Sequence, residues 1–410
     1  MQCARPVGRV FSPLDEELGL LGSSVSPFIH QCIVRLGAIL PFEQVPEQLA
    51  FLTGVHVSRE TVRRLTEQAG AAQAAVEDKA LRQVPRTAEP QPIKEEVQQL
   101  SADGVMVPLL HGTWAEVRTL TIGIVGKQPG PKGVEVHAHN ISYFSRLCRA
   151  DDFIDWAALP LHQRGTEQAR TVVTVSDGAS WLQELTTAHR PDAVRVLDFP
   201  HAAGYLSQAA QTAFGSGSRE AAVWLDQWLP TLKTKTPEEV LSAIRALPTP
   251  TPEAAKTRTS VLHYLGTRIE QLRYATFQAK GYPIGSGMVE SGNKLVVEAR
   301  LKGAGMHWER EHVNPMLALR GILCSGQWDE AWSGIWQELV RQMQEQRRQG
   351  RQRRAAARAE EAAAGAVAPE PPTKRLPLEP KRIVDGRPTA EHPWKNGYDQ
   401  RRLVKSRAKS

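Results

Sequence analysis

Pro283-Ile284-Gly285-Ser286-Gly287-Met288-Val289-Glu290-Ser291-Gly292-Asn293-Lys294 is the stretch from which the rest of the chain is read. It runs on through Arg300, Lys302, Gly303 and Gly305 to Met306-His307-Trp308. A proline and three glycines end one element, and Ser286 offers its hydroxyl to the free amides of the next helix. Val289, Val296 and Val297 recur at i, i+7 and i+8 and give that helix an apolar stripe. Glu290 then falls in the first turn, where the helix dipole favours a carboxylate. Lys294 lies one turn on, and Arg300 and Lys302 follow. An acid at a helix start with cations behind it suits a metal ligand beside a polyanion. It also fits an ordinary capped helix whose Glu only steadies the dipole. Two upstream aspartates, Asp103 and Asp177, shift the balance toward the first.

Composition narrows the field. A chain of 410 residues is long enough for two or three domains and a substantial core. Its net charge of +7 favours an anionic partner. Cys3, Cys32, Cys148 and Cys324 are scattered without paired spacing, which argues against a disulfide scaffold and fits a reducing compartment. No apolar run approaches the ~18 residues a membrane span needs. The opening residues carry Asp15, Glu16 and Glu17 in place of a signal-peptide core. The expectation is a soluble, cytoplasmic protein that does not engage a membrane.

Taken in order, residues 1–30 show little regular pattern. Val45, Leu49 and Leu52 form a short apolar face, Thr53-Gly54-Val55-His56-Val57 is a turn, and Ser58 caps a second helix with Glu60 in its first turn. Val62, Leu65 and Ala69 face inward and leave Arg59, Arg63 and Arg64 outward. Two short helices joined by a Gly turn, with arginines on the second, have the outline of a DNA-contacting helix-turn-helix, or of a generic helical pair. Residues 71–100 are helical and then Pro/Glu-rich, a connector. From Ser101 the texture becomes α/β. Strands are expected at Val105–Val107, Val117–Val125 and Val134–His139, a helix at Phe153–Leu159, and a buried strand at Thr171–Val175. A helix over Ala179–Ala188, a strand at Val194–Leu197 and a helix over His201–Ala213 follow. Three strands in hairpin order, then strands alternating with helices, predict a mixed sheet flanked by helices. Residues 214–280 are mostly helical. Trp328, Trp332 and Trp336 recur at i, i+4 and i+8, a core stripe. Residues 341–358 hold seven arginines against Glu345, a solvated or disordered tail that still attracts phosphate. Residues 361–410, Pro/Ala-rich and then basic, are also expected to be disordered.

Asp103 opens the first expected strand and Asp177 ends the fourth, so both can face one edge of the sheet, where open sheets place ligands. Glu290 arrives on a helix. Three convergent carboxylates can hold two Mg²⁺ ions, which want oxygen ligands. Two such ions ~3.5–4 Å apart clamp the attacking and leaving oxygens of an in-line phosphoryl displacement. Each Asp is also a common turn residue, and spacing alone does not separate the two readings.

Beyond these residue types lies a resemblance. Asp103-Gly104-Val105, Trp114-Ala115-Glu116-Val117, Ser176-Asp177-Gly178-Ala179-Ser180-Trp181 and Leu197-Asp198-Phe199-Pro200-His201-Ala202 are similar to segments of the ISKra-type insertion-sequence transposases, prokaryotic relatives of the Mutator class. The block from Tyr282 through Glu290 to Trp308 is the most specific match, and Leu319-Arg320 with Gly326-Gln327-Trp328 extends it. The resemblance covers about residues 40 to 340. It implies a ribonuclease-H-like catalytic core interrupted by a helical insertion; joined to the residue patterns above, the expectation is an α/β fold with a ribonuclease-H-like mixed sheet, an insertion at about 203–280 and an α-helical helix-turn-helix region ahead of it. The implied layout is an N-terminal helical region over 1–75, a connector over 76–100, a catalytic domain over 101–340 and a basic tail over 341–410.

The same resemblance implies a DDE triad on Asp103, Asp177 and Glu290, with Mg²⁺ or Mn²⁺, two ions, as cofactor. It implies double-stranded DNA as partner, at element ends and target, bound by a homo-oligomer in the nucleoid. Arg59, Arg63, Arg64, Lys294, Arg300 and Lys302 are the expected DNA-binding residues. Asp198 and His201 match the Asp-x-x-His signature of Mutator-like enzymes, His201 binding DNA or metal, or only packing. The sequence departs from the family in two places. Pro6 stands where a Cys-x-x-Cys pair would put the partner of Cys3, which argues against a zinc knuckle and suggests a shortened start. Pro200 replaces an expected aromatic. The other function class left open is a DNA-binding protein without catalysis, a decayed transposase or a regulator.

Overall fold

Fifteen residues from Lys94 to Pro108, with Val97, Gln99, Ser101, Asp103, Val105 and Val107 sharing one face, make the central strand of the sheet. In the computed structural model, which describes residues 25–84, 94–130, 133–364, 383–384 and 387–388, this strand (β1) is followed by β2 (Trp114–Gly130), β3 (Gly133–Arg146), β4 (Ala169–Ser176) and β5 (Val194–Leu197). The sheet order is β3-β2-β1-β4-β5. β1 with β2, and β2 with β3, pair antiparallel; β4 lies parallel to both β1 and β5. The fold is mixed α/β. β1 begins at Lys94, ahead of the expected start, so part of the expected connector is strand and Asp103 sits within β1 rather than opening it. The run Lys94-Glu95-Glu96-Val97-Gln98-Gln99-Leu100 hid this, because strand preference follows packing more than residue type.

Each face of the sheet is covered. Leu100, Ala102, Leu120 and Ile122 pack against Phe144 and against Phe153, Ala157, Leu161, Leu182 and Leu185 of α4 (Ala150–Gln163) and α5 (Ser180–His189). On the other face, Val173, Val175, Val196 and Leu197 meet α6 (Phe199–Phe214), whose Ala202, Leu206, Ala209 and Ala213 point inward. Behind α6, helices α7 (Arg219–Thr234), α8 (Pro237–Arg245), α9 (Pro252–Gly266) and α10 (Tyr274–Ala279) contribute Leu232, Ile244, Val261, Leu265 and Tyr274 to the same core. Further along that face, Val107 and Val117 meet Val296, Val297, Leu301, Trp308, Val313 and Leu317.

Val296 and Val297 lie on a helix broken into three pieces: α11 (Gly287–Gly292), a π-helical turn over Asn293–Glu298, and α12 (Ala299–Leu301). Two glycines let α11 press onto the sheet. A Cβ on Gly292 would lie 2.9 Å from Thr121 Cγ2, and one on Gly123, at a bulge of β2, 2.9 Å from Met288 Sδ. The helix is then held from behind by two arginines that, among the described residues, have no acidic partner. Arg300 is 2% exposed, donates to Gly37 O at 3.0 Å and lies against the rings of Phe42 and Trp308. Arg320, from α13 (Arg310–Cys324), donates to Val296 O, Leu295 O and Ala38 O. Burial lowers both guanidinium values, that of Arg300 to about 10.

Gly37 and Ala38 belong to α1 (Pro27–Ile39), which precedes α2 (Val45–Thr53) and α3 (Arg59–Leu81). Gly54 turns the chain after α2 with φ +72, and Ser58 caps α3 by accepting from the Thr61 amide at 3.2 Å. α3 reaches far beyond a short recognition helix. Its Glu77 forms an ion pair with the buried Arg146 of β3, and its Ala69 and Ala72 join Leu319 and Ile322 of α13 in one core. The expected tryptophan stripe joins that core: Trp328 is buried, and Trp332 and Trp336 pack around His30. These tryptophans start α14 (Trp328–Ala364), which corrects the expected tail: residues 341–364 are helical, as their Ala, Arg, Gln and Glu content favours. The chain divides into one compact unit, Met1–Glu345, and a second, Gln346–Ser410. The expectations placed on Cys3 and Pro6, and on most of residues 365–410, lie outside the described residues. Among the described residues no helix is long and apolar enough to cross a membrane.

Gly292→Ala tests the close approach. Alanine ordinarily gains up to ~1 kcal/mol over glycine inside a helix. Here overpacking of about 1–3 kcal/mol should outweigh it, so the variant should melt below wild type in a thermal scan.

Candidate functional site

The parallel register of β1 and β4 pairs Gln98 with Val172, Gln99 with Val173 and Leu100 with Thr174. The last of these pairs lies three residues before Asp103 in β1 and three before Asp177, which follows directly on the end of β4 at Ser176. Glu290 comes from α11. The charges of both Asp177 and Glu290 act on Asp103, so the structure brings the three acids from distant parts of the chain into one electrostatic neighbourhood. Asp103 is pushed above the usual carboxylate range, first by burial and then by these two like charges; the Gly104 amide and Asn293 pull the other way. Asp103 Oδ1 accepts from Gly104 N at 2.7 Å, and its Oδ2 accepts from Asn293 Nδ2 at 3.0 Å.

Asp177 is held by its backbone. Its side chain accepts from the Ala179 amide at 2.9 Å, a local turn. Its carbonyl takes the Tyr264 hydroxyl, and Arg268, stacked on Tyr264 at 4.0 Å, donates to Gly178 O at 2.9 Å. Burial pushes the Tyr264 hydroxyl up to about 12, so it stays a donor across working pH. Gly178 has φ +82, and a Cβ there would meet Tyr264 Oη at 2.6 Å, so only glycine suits this turn.

Glu290 is positioned through the loop before it. Ser286 does not cap α11 with its hydroxyl, as the sequence suggested; its backbone conformation, φ -90 and ψ 11, is not that of a cap, and its carbonyl takes the Val289 and Glu290 amides instead. Its own amide is claimed by Asp198 Oδ1 at 2.7 Å, while Asp198 Oδ2 caps α6 by accepting from His201 N at 3.0 Å. Ile284 O receives the Phe199 amide at 2.9 Å. Asp198, buried at 4% exposure, is thus a clasp between the end of β5 and the approach to Glu290. The His201 ring lies edge-on to Tyr205. Asp198, Pro200, His201, Gly204, Tyr205, Gln208 and Glu290 line one open cavity of about 490 Å³.

The expected DNA-binding residues divide. Arg59 and Arg64 are exposed on α3, whereas Arg63 is clamped by Glu60 at 2.6 Å and Glu67 at 2.8 Å. Lys294 is exposed one turn beyond Glu290, and Lys302 pairs with Glu298 at 2.8 Å. Arg300 is a correction: it is sealed in the core, because its position continues the stripe of Val289, Val296 and Val297, and it cannot meet DNA. Asn293, Tyr264 and Arg268 escaped the sequence reading. Asn293 had a visible signal, a polar residue set in that same valine stripe.

The donor set suits a hard divalent cation. Three carboxylates supply only oxygen, and Asn293 Oδ1 beside them is buried without a partner. Among the described residues no three His, Cys, Asp or Glu side chains are gathered closely enough to form a metal cage. A raised folded value means that Asp103 holds its proton more tightly folded than unfolded. Its contribution to stability is therefore present at acid pH and lost as pH rises through the folded value. Asp103→Asn should accordingly raise the melting temperature in chelator at neutral pH, and should cancel any stabilisation by Mn²⁺.

No curated protein matches the chain. The model of one family, the Uncharacterised protein family (UPF0236), matches residues 5–333, most of the chain, and the protein belongs to that family.

Proposed function

We propose that this protein is a DDE-type DNA transposase of the ISKra kind, which cleaves DNA at the ends of its element and joins them to a target in a reaction that needs Mg²⁺ or Mn²⁺. The observation that carries the proposal is that the charges of Asp177 and Glu290, from distant parts of the chain, both act on the half-buried Asp103. The strand order β3-β2-β1-β4-β5, with three antiparallel strands ahead of two parallel ones, supports the ribonuclease-H-like reading of the core. The helices between β5 and α11 are then its helical insertion.

In this reading Asp103 offers oxygens from β1, Asp177 from just past the end of β4, and Glu290 from α11. When bound, the ions polarise the scissile phosphate and favour the deprotonated nucleophile. The chain needs no covalent intermediate of its own; its task is to hold three mutually repelling acids in place. The cavity beside Glu290 leaves room for a strand of the substrate, and Lys294 lies close enough in sequence to balance a phosphate there. Arg59 and Arg64 carry the DNA contact of the N-terminal helices, and a homo-oligomer pairs the two ends.

Cleavage of a labelled duplex bearing the element's end tests the chemistry. Asp103→Asn, Asp177→Asn and Glu290→Gln should each abolish Mg²⁺-dependent cleavage and leave duplex binding intact, while neutralising Asp151, Asp152 or Glu298 should change the rate little. Cleavage by Glu290→Gln at the wild-type rate would remove the third acid from the site. For binding, replacing Arg59 and Arg64 together by Ala should lower the slope of log K against log salt by about 2, since each phosphate contact contributes ~0.9. Arg63→Ala should do less, because its charge is already answered by Glu60 and Glu67.

A further inference from the structure

Asn293 is 5% exposed and stands in the valine stripe of the helix that carries Glu290. A purely structural position there would take a leucine, because an amide out of water costs about 1–3 kcal/mol for each unpaired group. The Asn293 amide is only half paired. Its nitrogen must face Asp103, because an ionised carboxylate can only accept, and the 3.0 Å bond to Oδ2 is that contact. Among the described residues its buried oxygen has no partner. The other bond to Asp103 comes from the next residue of its own strand, Gly104. The Asn293 bond therefore ties the first acid to the helix bearing the third.

The backbone is also unusual here. The π-helical turn begins at Asn293, and the Leu295 and Val296 carbonyls within it are answered by Arg320 of another helix. Such turns insert one extra residue and recur at functional sites. Thr119 and Ser145 provide a contrast on the neighbouring strands: a buried hydroxyl pair at 2.9 Å, each partner answered by the other.

We propose that Asn293 is a positioning residue of the acidic site: its Nδ2 fixes the Asp103 carboxylate in the orientation that ligates a divalent ion, and its free Oδ1 accepts from a water brought in with that ion. This rests on the reading of Asp103 as a metal ligand. Partners of this kind, one step removed from the metal, typically change its affinity 10–100-fold.

Mn²⁺ titration of the full-length protein by calorimetry, without DNA, tests it on wild type, Asn293→Leu, Asn293→Ala and Ser145→Ala. Wild type should bind Mn²⁺. Asn293→Leu, which keeps the packing but removes both the unpaired oxygen and the donor to Asp103, should still fold and melt cooperatively in chelator yet bind Mn²⁺ about 10–100-fold more weakly. Its cleavage activity should recover as Mn²⁺ is raised. Ser145→Ala should melt lower with unchanged Mn²⁺ affinity. If Asn293→Leu does not fold, Asn293→Ala is read by its Mn²⁺ affinity in the same way. Wild-type affinity in the Asn293 variants would overturn the inference and leave the metal site standing. Weaker binding that merely tracks a lowered melting temperature would mark a packing role and overturn it too. A folded wild type that binds no Mn²⁺ would overturn both this inference and the metal-dependent reading.

Discussion

Two carboxylate charges, those of Asp177 and Glu290, act against a third, Asp103, which is also partly out of water. That arrangement survives only if the surrounding chain holds it rigidly. Each acid has its own restraint, and each works through backbone or amide groups. Asp177 is fixed by Tyr264 and Arg268 gripping the carbonyls of its turn. Glu290 is fixed by the Asp198 clasp on Ser286. Asp103 is fixed by Gly104 and Asn293. A positive charge placed directly against the acids would relieve the repulsion and also remove the affinity for a cation. The structure instead keeps its guanidinium groups one layer back, where Arg268 meets carbonyls rather than carboxylates.

The same principle joins the site to the N-terminal helices. Arg300 and Arg320 bury their charges without an acid and spend their donors on carbonyls: Gly37 and Ala38 near the end of α1, Leu295 and Val296 of the π-helical turn. These donors answer carbonyls within the π-helical turn and near the end of α1. They also make the helix that carries Glu290 and Asn293 continuous in packing with the helices that carry Arg59 and Arg64. A buried, unpaired guanidinium is costly, and the rings of Phe42 and Trp308 against Arg300 offset part of that cost.

Much of this was legible in the sequence. The β-branched run Thr171–Val175 and its Asp-Gly ending gave β4 and its acid, and Ser58 gave the start of α3. The valine stripe gave the buried face of the Glu290 helix. Less legible was whatever depended on a partner far along the chain. Lys94–Leu100 looks like linker until β2 and β4 pair with it on both sides. Arg300 looked like a surface cation because of its charge, although its spacing from Val289 already placed it on the inner stripe. Asp198 looked like part of a motif, and its work is to cap one helix and secure the approach to another. Nothing in residue spacing shows that Asp103 and Asp177 each follow a paired position by three residues; that comes from the parallel register of β1 and β4.

The central claim is that Asp103, Asp177 and Glu290 jointly hold a divalent ion. Anomalous diffraction from crystals of the full-length protein soaked in Mn²⁺ tests it most directly. The account predicts an anomalous peak between the Asp103 and Asp177 carboxylates, within ligating distance of both, with Glu290 turned toward the same density. Mn²⁺ bound elsewhere, with this sheet edge empty in a well-ordered crystal, would contradict it.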